Sequence, residues 1–316
     1  MRAVAITEYG GVPAVTELPK PEAASDKMIV RVEAAGMNPV DSAIASGAYK
    51  ELMPATFPLV LGVDVAGVVE AVGGESAGFE EGDRVFGQLL TPPLGSTGTY
   101  AEFVSVPKDA PVAKVPQSID SATAASLPTA GGTALQIAES LSPLEGKTML
   151  IVGAAGGVGS FLTQFAVRAG ARVIANVAAS DSARVREYGA VETVDHRTDN
   201  VHDAVAALYP EGIDVLVDLA NDAGEFADLA SLVRSGGTAL TTRYVADVDS
   251  LAARGVTGVN FAYQPTRPFL GGLADTVATG GIVPPPLATV ALEDVPQVLR
   301  GNGNRARPAK TVIAVS

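Results

Sequence analysis

The sequence contains no cysteine and no tryptophan, and its only histidines are His196 and His202. Without cysteine the chain can form no disulfide, no thiolate nucleophile and no zinc site with cysteine ligands. A Ser/His/Asp triad would have to use one of the two histidines. Positive charge is also scarce, because 22 Lys and Arg stand against 35 Asp and Glu, which gives a formal net charge of −13. This charge argues against nucleic acids and anionic membrane surfaces as partners, since both are bound by clustered Lys and Arg.

Targeting and membrane-spanning segments are not expected either. The first residues, MRAVAITEYGG, are interrupted by Glu8 and lack the apolar run of a signal peptide. The uncharged stretch 148–167 has the length of a membrane helix, but Gly153, Gly156 and Gly157 divide it into a strand and a helix. We therefore expect a cytoplasmic protein, and its 316 residues correspond to about two domains.

The chain changes in character along its length. Residues 1–118 carry short runs of β-branched residues bounded by Gly and Pro, which predict a small barrel or sandwich. The Ala-rich segment 121–139 predicts helices with a Pro/Gly break. From about residue 149, apolar strands alternate with helices, as in parallel βαβ units, so we predict a doubly wound domain. The tail from about Phe269 is too short for its own core, and we expect it to pack onto the first region.

The most specific motif is the glycine-rich segment 153–159, which follows an apolar strand and opens a helix. Glycine allows a tight turn and a close approach of the backbone to a pyrophosphate, whose charge meets the N–H groups at the helix N-terminus. Ala154 stands at the first position of the usual GxGxxG pattern, in place of a glycine, and keeps the side chain small. The alternative is a glycine-rich turn that binds no ligand.

The end of the second strand of this domain bears on the choice between NAD and NADP. NAD sites place an Asp or Glu there, whereas this strand ends in Asn176, Val177 and Ala178. Ser180 and Arg184 are able to meet a 2′-phosphate, so the sequence favours NADPH. Asp181 lies close by, and Arg184 could equally belong to a solvated helix face.

Further candidates lie where other strands of this domain end, because ligands bind in the crevice outside the carboxyl ends of parallel strands. Ala220, Asn221 and Thr241 occupy such positions. His196 follows the third strand and is within reach of an adenosine phosphate, although a surface position is equally compatible with the sequence.

The assembled motifs resemble the zinc-independent quinone oxidoreductases, the zeta-crystallin-like group of the medium-chain dehydrogenase/reductase superfamily. The resemblance is nearly end to end. It rests on the segments 30–49, 58–73, 82–87, 98–107, 124–135, 153–160 and 310–315.

The resemblance implies an α/β chain that combines a GroES-like β-barrel catalytic domain with a Rossmann domain. It places the catalytic domain at residues 1–121 and 266–316, and the NADP-binding domain at residues 122–265. In zinc-dependent relatives a cysteine stands at the position of Asn38 and a His-Glu pair at Val63 and Asp64, so no metal is expected.

The same resemblance gives roles to individual residues. It places Asn38 beside the nicotinamide and the substrate, and it matches Tyr49 to the proton donor of enoyl thioester reductases. Tyr49 could instead pack against a substrate plane, and Lys310 is placed either near the cofactor or in a surface ion pair. The residues predicted to bind NADPH are Thr129, Ala155, Gly156, Gly157, Val158, Ala178, Ser180, Arg184, His196, Ala220, Asn221, Thr241 and Lys310.

We therefore predict an NADPH-dependent oxidoreductase that transfers hydride, without a metal, to a quinone or an α,β-unsaturated carbonyl. Two alternatives stay open: an enoyl thioester reductase, and a nucleotide-binding protein with a regulatory or structural role. A homodimer is expected by resemblance, through the edge segment 255–264 of the Rossmann sheet.

Overall fold

The computed structural model describes residues 1–74, 78–301 and 310–315. The chain divides into two units. The first contains residues 1–132 and 265–316, and the second contains residues 133–264. The chain therefore leaves the first unit, builds the second and returns.

Within the described residues the strands are β1 Arg2–Ile6, β2 Ala14–Glu17, β3 Lys27–Gly36, β4 Leu59–Val60, β5 Asp64–Val72, β6 Arg84–Gln88, β7 Phe103–Pro107, β8 Val112–Lys114, β9 Thr148–Val152, β10 Arg172–Asn176, β11 Glu192–Val194, β12 Ile213–Asp218, β13 Val233–Thr241, β14 Thr257–Asn260, β15 Leu287–Ala291 and β16 Lys310–Ala314. The helices are α1 Pro39–Ala45, α2 Ser121–Ser126, α3 Gly132–Ser140, α4 Gly157–Arg168, α5 Ser182–Glu187, α6 Val201–Leu208, α7 Ala223–Ala230, α8 Val248–Ala253, α9 Arg267–Ala278 and α10 Val295–Leu299. A π-helical turn spans Leu127–Gly131, and 3₁₀ turns span Ala179–Asp181 and Leu292–Asp294.

The first unit is built on a sheet that is antiparallel except for the pair β15-β16, and the end of the chain inserts into it. Its described strands run in the order β15-β16-β3-β5-β6-β8, with β7 also paired to β3. The terminal strand β16 is antiparallel to β3, so that Val312 faces Gly36. The side chains of β3, β5 and β6 alternate onto a buried apolar cluster that includes Val30, Val65 and Val85. The tail therefore packs onto the first region, as the sequence predicted.

The second unit holds a parallel sheet with strand order β11-β10-β9-β12-β13-β14. The central strands β9, β10 and β12 are largely buried and rich in Val, Ile and Leu, as expected for strands that are covered by helices on both faces. The strand order reverses beside β9, which has β10 on one side and β12 on the other. A ligand crevice is expected at the carboxyl ends of β9 and β12. The α/β class with a doubly wound domain is therefore confirmed.

The sequence analysis differs from the structure in three details. It predicted the first domain boundary at 121/122, whereas the contacts place it after Gly132, because α2 packs against β3 and β5. The Pro/Gly break predicted within 121–139 is a π-helical turn that joins α2 to α3. Helix α6 was not predicted. None of the helices in the described residues combines the length and apolar character needed to cross a membrane.

Candidate functional site

The glycine-rich loop lies at the carboxyl end of β9 and leads directly into α4. Gly153 has φ = +77°, a left-handed conformation that favours glycine. A Cβ atom on Gly159 would lie 2.3 Å from the carbonyl oxygen of Gly153, so only glycine lets the helix approach the turn this closely. The N-cap, Gly156, provides no side chain to satisfy the first N–H groups of α4.

The predicted residues Ala155, Gly156, Gly157 and Val158 form this turn and the first residues of the helix. Since the first N–H groups of a helix and its dipole attract anions, the geometry fits the pyrophosphate of a dinucleotide.

A cavity of about 380 Å³ opens in the second unit beside this loop. Its lining brings together Gly153 and three predicted residues, His196, Ala220 and Asn221. Asp218, at the end of β12, holds that side of the cavity in place, because its Oδ1 accepts the N–H groups of Ala220 (3.0 Å) and Asn221 (2.9 Å). The other lining residues are Val152, Asn176, Asn200, Val201, His202, Glu225, Asp228 and Leu229. The cavity has the size and position of a nucleoside site at the crevice.

Arg184 lies against the glycine-rich loop rather than on a solvated helix face. Its guanidinium donates to Ser160 Oγ (3.1 Å) and to the carbonyl oxygen of Ala155 (3.2 Å), and it forms an ion pair with Asp181. Ala178 is buried at the start of the 3₁₀ turn, which carries the exposed Ser180. The guanidinium predicted to meet a 2′-phosphate is therefore that of Arg184, and it already forms an ion pair with the carboxylate of Asp181.

Asp195 is a residue in this region that the sequence analysis missed. Its Oδ2 accepts the N–H of Ala179 (2.9 Å) and its Oδ1 accepts the N–H of Arg197 (2.9 Å). These bonds hold the pKa of Asp195 below its ordinary value, the bond from Arg197 most of all. Both oxygens are thus engaged by the backbone, so Asp195 fastens the loop after β10. Thr241 is fully buried, and its Oγ1 accepts the N–H of Arg243 (3.0 Å).

A second group of polar side chains lies buried in the first unit, and we call it the Asp64 cluster: Asn38, Asp41, Asp64, Gln88, Tyr100, Thr129 and Lys310. Asp64 is fully buried. Its Oδ1 accepts a hydrogen bond from the hydroxyl of Thr129 (2.6 Å). Its Oδ2 accepts two hydrogen bonds, one from Nδ2 of Asn38 (2.9 Å) and one from the backbone N–H of Thr129 (3.2 Å). The Nζ of Lys310 lies 3.8 Å from Oδ2. The two predicted residues at the chain's extremes, Asn38 and Lys310, therefore meet at one carboxylate.

The amide of Asn38 is occupied within this cluster. Its Oδ1 accepts a hydrogen bond from the ammonium of Lys310. Its Nδ2 donates hydrogen bonds to Asp64 and to the carbonyl oxygen of Gly36 (3.2 Å). Lys310 is also buried and donates to the carbonyl oxygen of Met37 (2.9 Å), so the alternative of a surface ion pair is wrong. Asn38 therefore holds a buried lysine in place, and its position beside the nicotinamide and the substrate stays a prediction.

Burial dominates the electrostatics of the Asp64 cluster. Desolvation raises the pKa of Asp64 and lowers the pKa of Lys310. The charge of Lys310 partly lowers the pKa of Asp64 again, and the charge of Asp64 partly raises the pKa of Lys310. Because Asp64 has an ammonium and three hydrogen-bond donors around it, we assign it the ionised form. Burial also raises the pKa of Asp41 to about 7, although Tyr100 and the N–H of Asn38 both donate to Oδ2 at 2.6 Å.

Tyr49 lies apart from these hydrogen bonds, in the turn after α1. Its half-buried ring packs against an apolar cluster that contains Val4, Leu59 and Leu61. Packing against a substrate plane and proton donation both stay predictions for Tyr49.

The sequence carried a signal for part of the Asp64 cluster. Asp64 stands alone in the apolar run 59–69, where a carboxylate is costly unless it is paired. Gln88 and Tyr100 carried no comparable signal. Among the described residues, no group of three or more His, Cys, Asp or Glu side chains is arranged to hold a metal ion.

Comparisons with known proteins agree with this architecture. The alcohol dehydrogenase GroES-like domain matches residues 24–117, and the zinc-binding dehydrogenase domain matches residues 157–247. Over 246 residues the chain is 35% identical to a quinone oxidoreductase of Pongo abelii, an alignment that covers 75% of this chain and 71% of that protein. Over 226 residues it is 33% identical to an NADPH-dependent alkenal/one oxidoreductase of Arabidopsis thaliana, covering 69% of this chain and 57% of that protein.

A crystal structure of a quinone oxidoreductase from Pseudomonas syringae superposes with a TM-score of 0.86 at 26% identity, over 99% of each chain. Fold and site thus define a two-domain dehydrogenase/reductase with a dinucleotide-binding domain. The chain belongs to the quinone oxidoreductase group of the medium-chain dehydrogenase/reductase superfamily.

Proposed function

We propose that the chain is an NADPH-dependent reductase of quinones and α,β-unsaturated carbonyls. The observation that carries the proposal is the glycine-rich turn at the reversal point of the parallel sheet, where Gly153 and Gly159 bring the N-terminus of α4 against the end of β9. The names of the relatives support the substrate class, since they include a quinone oxidoreductase and an alkenal/one oxidoreductase.

When bound, the nicotinamide supplies a hydride to the electron-poor carbon of the acceptor. The protein must then bind the nucleotide, exclude water and provide one proton for each acceptor that is reduced. We assign the proton to Tyr49, because a phenol with an ordinary pKa of about 10 is protonated at neutral pH and water can restore its proton. Asn38 acts as a positioning residue through Asp64 and Lys310.

The preference for NADPH rests on the second unit. Asn176 and Ala178 stand where a carboxylate would select NAD, and Arg184 places a guanidinium beside the loop. Asp195 does not stand at the position of that carboxylate, because it follows β11 and not β10. A 2′-phosphate would compete with Asp181 for the guanidinium.

The test mixes the purified full chain with NADPH or NADH and a panel of benzoquinones, naphthoquinones, alkenals and a CoA enoyl thioester. We expect loss of dihydronicotinamide absorbance with quinones or alkenals, and a higher kcat/KM with NADPH. Arg184→Met is expected to lower kcat/KM for NADPH by a larger factor than kcat/KM for NADH, because only NADPH carries a 2′-phosphate. Nucleotide binding without turnover of any acceptor would favour the regulatory alternative, and a strong preference for the thioester would reassign the substrate class.

Tyr49→Phe tests the proton donor. We expect kcat for an alkenal to fall about 100-fold, because general acid catalysis contributes factors of this order. Tyr9→Phe is the matched control, since Tyr9 is half-buried against the same apolar cluster and its variant also loses only a hydroxyl. Equal activity of both variants would make Tyr49 a packing residue.

A further inference from the structure

The cavity beside the glycine-rich loop contains a buried amide oxygen that has no hydrogen-bond donor. Asn176, at the end of β10, is 5% exposed and lines this cavity. Its Nδ2 donates to the carbonyl oxygen of Val194 (3.4 Å), which fixes the orientation of the amide, because the reverse orientation would bring two oxygens together. Among the described residues no donor reaches Oδ1 of Asn176. The cavity therefore holds an acceptor that a ligand has to satisfy.

Helix α7 adds two carboxylates to the same cavity. Glu225 and Asp228 lie about one turn apart on α7, and both line the cavity. Neither carboxylate forms a hydrogen bond or an ion pair within residues 1–74, 78–301 and 310–315. Ionised carboxylates, like the oxygen of an amide, only accept hydrogen bonds. The ligand of this cavity must therefore bring hydrogen-bond donors.

The polar side chains at the start of α6 line the cavity as well, and they have other partners. His202 has its Nε2 3.0 Å from Ser231 Oγ and its Nδ1 3.4 Å from Asp203 Oδ1. Asn200 Oδ1 accepts the N–H of Asp203 (3.0 Å), so Nδ2 of Asn200 is the atom left for a ligand. The cavity thus offers acceptors from β10 and α7, and an amide donor from the start of α6.

We propose that Asn176, Glu225 and Asp228 read the 6-amino group of the adenine ring, so that the chain selects nucleotides whose purine carries this group. The amino group has two N–H donors, and the ring nitrogens near it are acceptors. Asn176 Oδ1 accepts one N–H and a carboxylate of α7 accepts the other, while Nδ2 of Asn200 meets a ring nitrogen. This inference rests on the proposed function, because it presupposes an adenine dinucleotide.

The two carboxylates also decide which part of the nucleotide enters the cavity. Phosphate groups are repelled by Glu225 and Asp228, whereas the adenine ring is uncharged at neutral pH. The phosphates have positive partners beside the cavity, in the guanidinium of Arg184 and in the N-terminus of α4. The base is therefore the part of the dinucleotide that enters the cavity.

The experiment compares NADPH with its purine analogue, in which hydrogen replaces the 6-amino group. Both nucleotides keep the fluorescent dihydronicotinamide, so their dissociation constants are measured by fluorescence titration of the full chain, without any electron acceptor. We expect the wild type to bind the analogue about tenfold more weakly, because the analogue leaves the acceptors of the cavity without donors. A ribose hydroxyl as the donor would instead give equal affinities.

Glu225→Ala, Asp228→Ala and the double variant test the carboxylates. Removing a negative charge also relieves the repulsion of the phosphates, so the informative quantity is the ratio of the two dissociation constants and not either one alone. This ratio is expected to fall from about ten to about three or less in the double variant. Asp249→Ala is the matched control, because Asp249 is an exposed residue of α8 and its loss changes the net charge equally. The control should keep the wild-type ratio.

A wild-type ratio near one would overturn the inference, as would a ratio that stays at its wild-type value in a folded double variant. Glu225 and Asp228 are both exposed, so their replacement by alanine should leave the fold intact, which circular dichroism checks. The proposed function fails separately: the chain would bind NADPH with the expected ratio and still reduce none of the quinones or alkenals.

Discussion

Asp41 is a fully buried carboxylate whose two oxygens have unequal surroundings. Oδ2 accepts the hydroxyl of Tyr100 and the N–H of Asn38, whereas Oδ1 has no hydrogen-bond partner among the described residues. A charged oxygen without a donor is costly in an apolar interior, which is why burial outweighs the two hydrogen bonds and raises the pKa of Asp41 to about 7. The proton belongs on Oδ1.

This shift makes stability depend on pH. The pKa of Asp41 is about 7 in the folded chain and about 3.8 as the reference value, so between these values the folded state binds a proton that the unfolded state has lost. The stabilisation from Asp41 is therefore complete below the lower value and is lost as the pH rises through about 7. We expect the wild type to lose up to about 1.4 kcal/mol of unfolding free energy per pH unit in this window, relative to Asp41→Asn.

Urea unfolding of both proteins at several pH values from 4 to 8 checks this prediction. Asp26→Asn is the control, because Asp26 is exposed and its replacement should leave the wild-type slope in place. Parallel slopes for wild type and Asp41→Asn would show that Asp41 is ionised in the folded chain.

The site residues show how far sequence reasoning reaches. Ala155, Gly156 and Gly157 could be placed because their motif is local: a strand, a turn and a helix within a few residues. The environment of Asn38 could not, because it depends on Lys310 at the other end of the chain and on Asp64 in another strand. Contacts between residues that are far apart in the sequence follow no fixed spacing, so they cannot be predicted from a local motif.

Among the elements, the turn between β9 and α4 brings the backbone of Gly159 close to the backbone of the glycine-rich loop. Gly159→Ala places a methyl group 2.3 Å from the carbonyl oxygen of Gly153 and 2.6 Å from Cα of Ala154. Neither backbone atom can give way without moving the loop. We expect the dissociation constant for NADPH to rise at least about tenfold in this variant.

Gly271→Ala is the matched control, because Gly271 lies in α9 and a Cβ there meets nothing within 4 Å. This variant should bind NADPH as wild type does and gain about 0.5 to 1 kcal/mol in stability from helix propensity. Circular dichroism and fluorescence titration of both variants provide the measurement. Wild-type affinity in Gly159→Ala would mean that the loop is not the pyrophosphate site.

Elements with strong periodicity were predictable, and those that depend on their surroundings were not. Helix α4 and strands β9, β10 and β12 follow the alternation of apolar strands and helices predicted from about residue 149, because apolar runs and glycine turns mark their ends. The π-helical turn at Leu127–Gly131 was predicted as a break, since Pro128 and the two following glycines usually end a helix. In the structure Asp64 accepts the N–H of Thr129 in the middle of that turn.

For the whole molecule, the sequence predicted a chain that leaves its first domain and returns to it, and the structure agrees. Strand β14 then lies at the edge of the parallel sheet. The N–H of Phe261 bonds to Thr241, so by alternation Gly258 and Asn260 direct their backbone groups away from β13. We propose that two copies of the chain pair through this edge.

A mass measurement by light scattering is expected to give twice 32.0 kDa for the wild type. Thr257→Lys, at an exposed position of β14, should shift the mass towards 32.0 kDa, because a two-fold axis brings the new charges of both copies together. Ala253→Lys, exposed on α8, is the control and should remain dimeric. A monomeric wild type, or a dimeric Thr257→Lys, would exclude this interface.

The return of β16 to β3 has a consequence for biosynthesis. Lys310 is the cation that balances Asp64 inside the first unit, and the ribosome adds it after the whole second unit has been made. Until then the emerging first unit holds the Asp64 carboxylate without its lysine, at a cost that favours an open or incompletely packed state. We therefore expect a chain that ends before β16 to leave its first unit incompletely packed around Asp64, even though most residues of that unit are present.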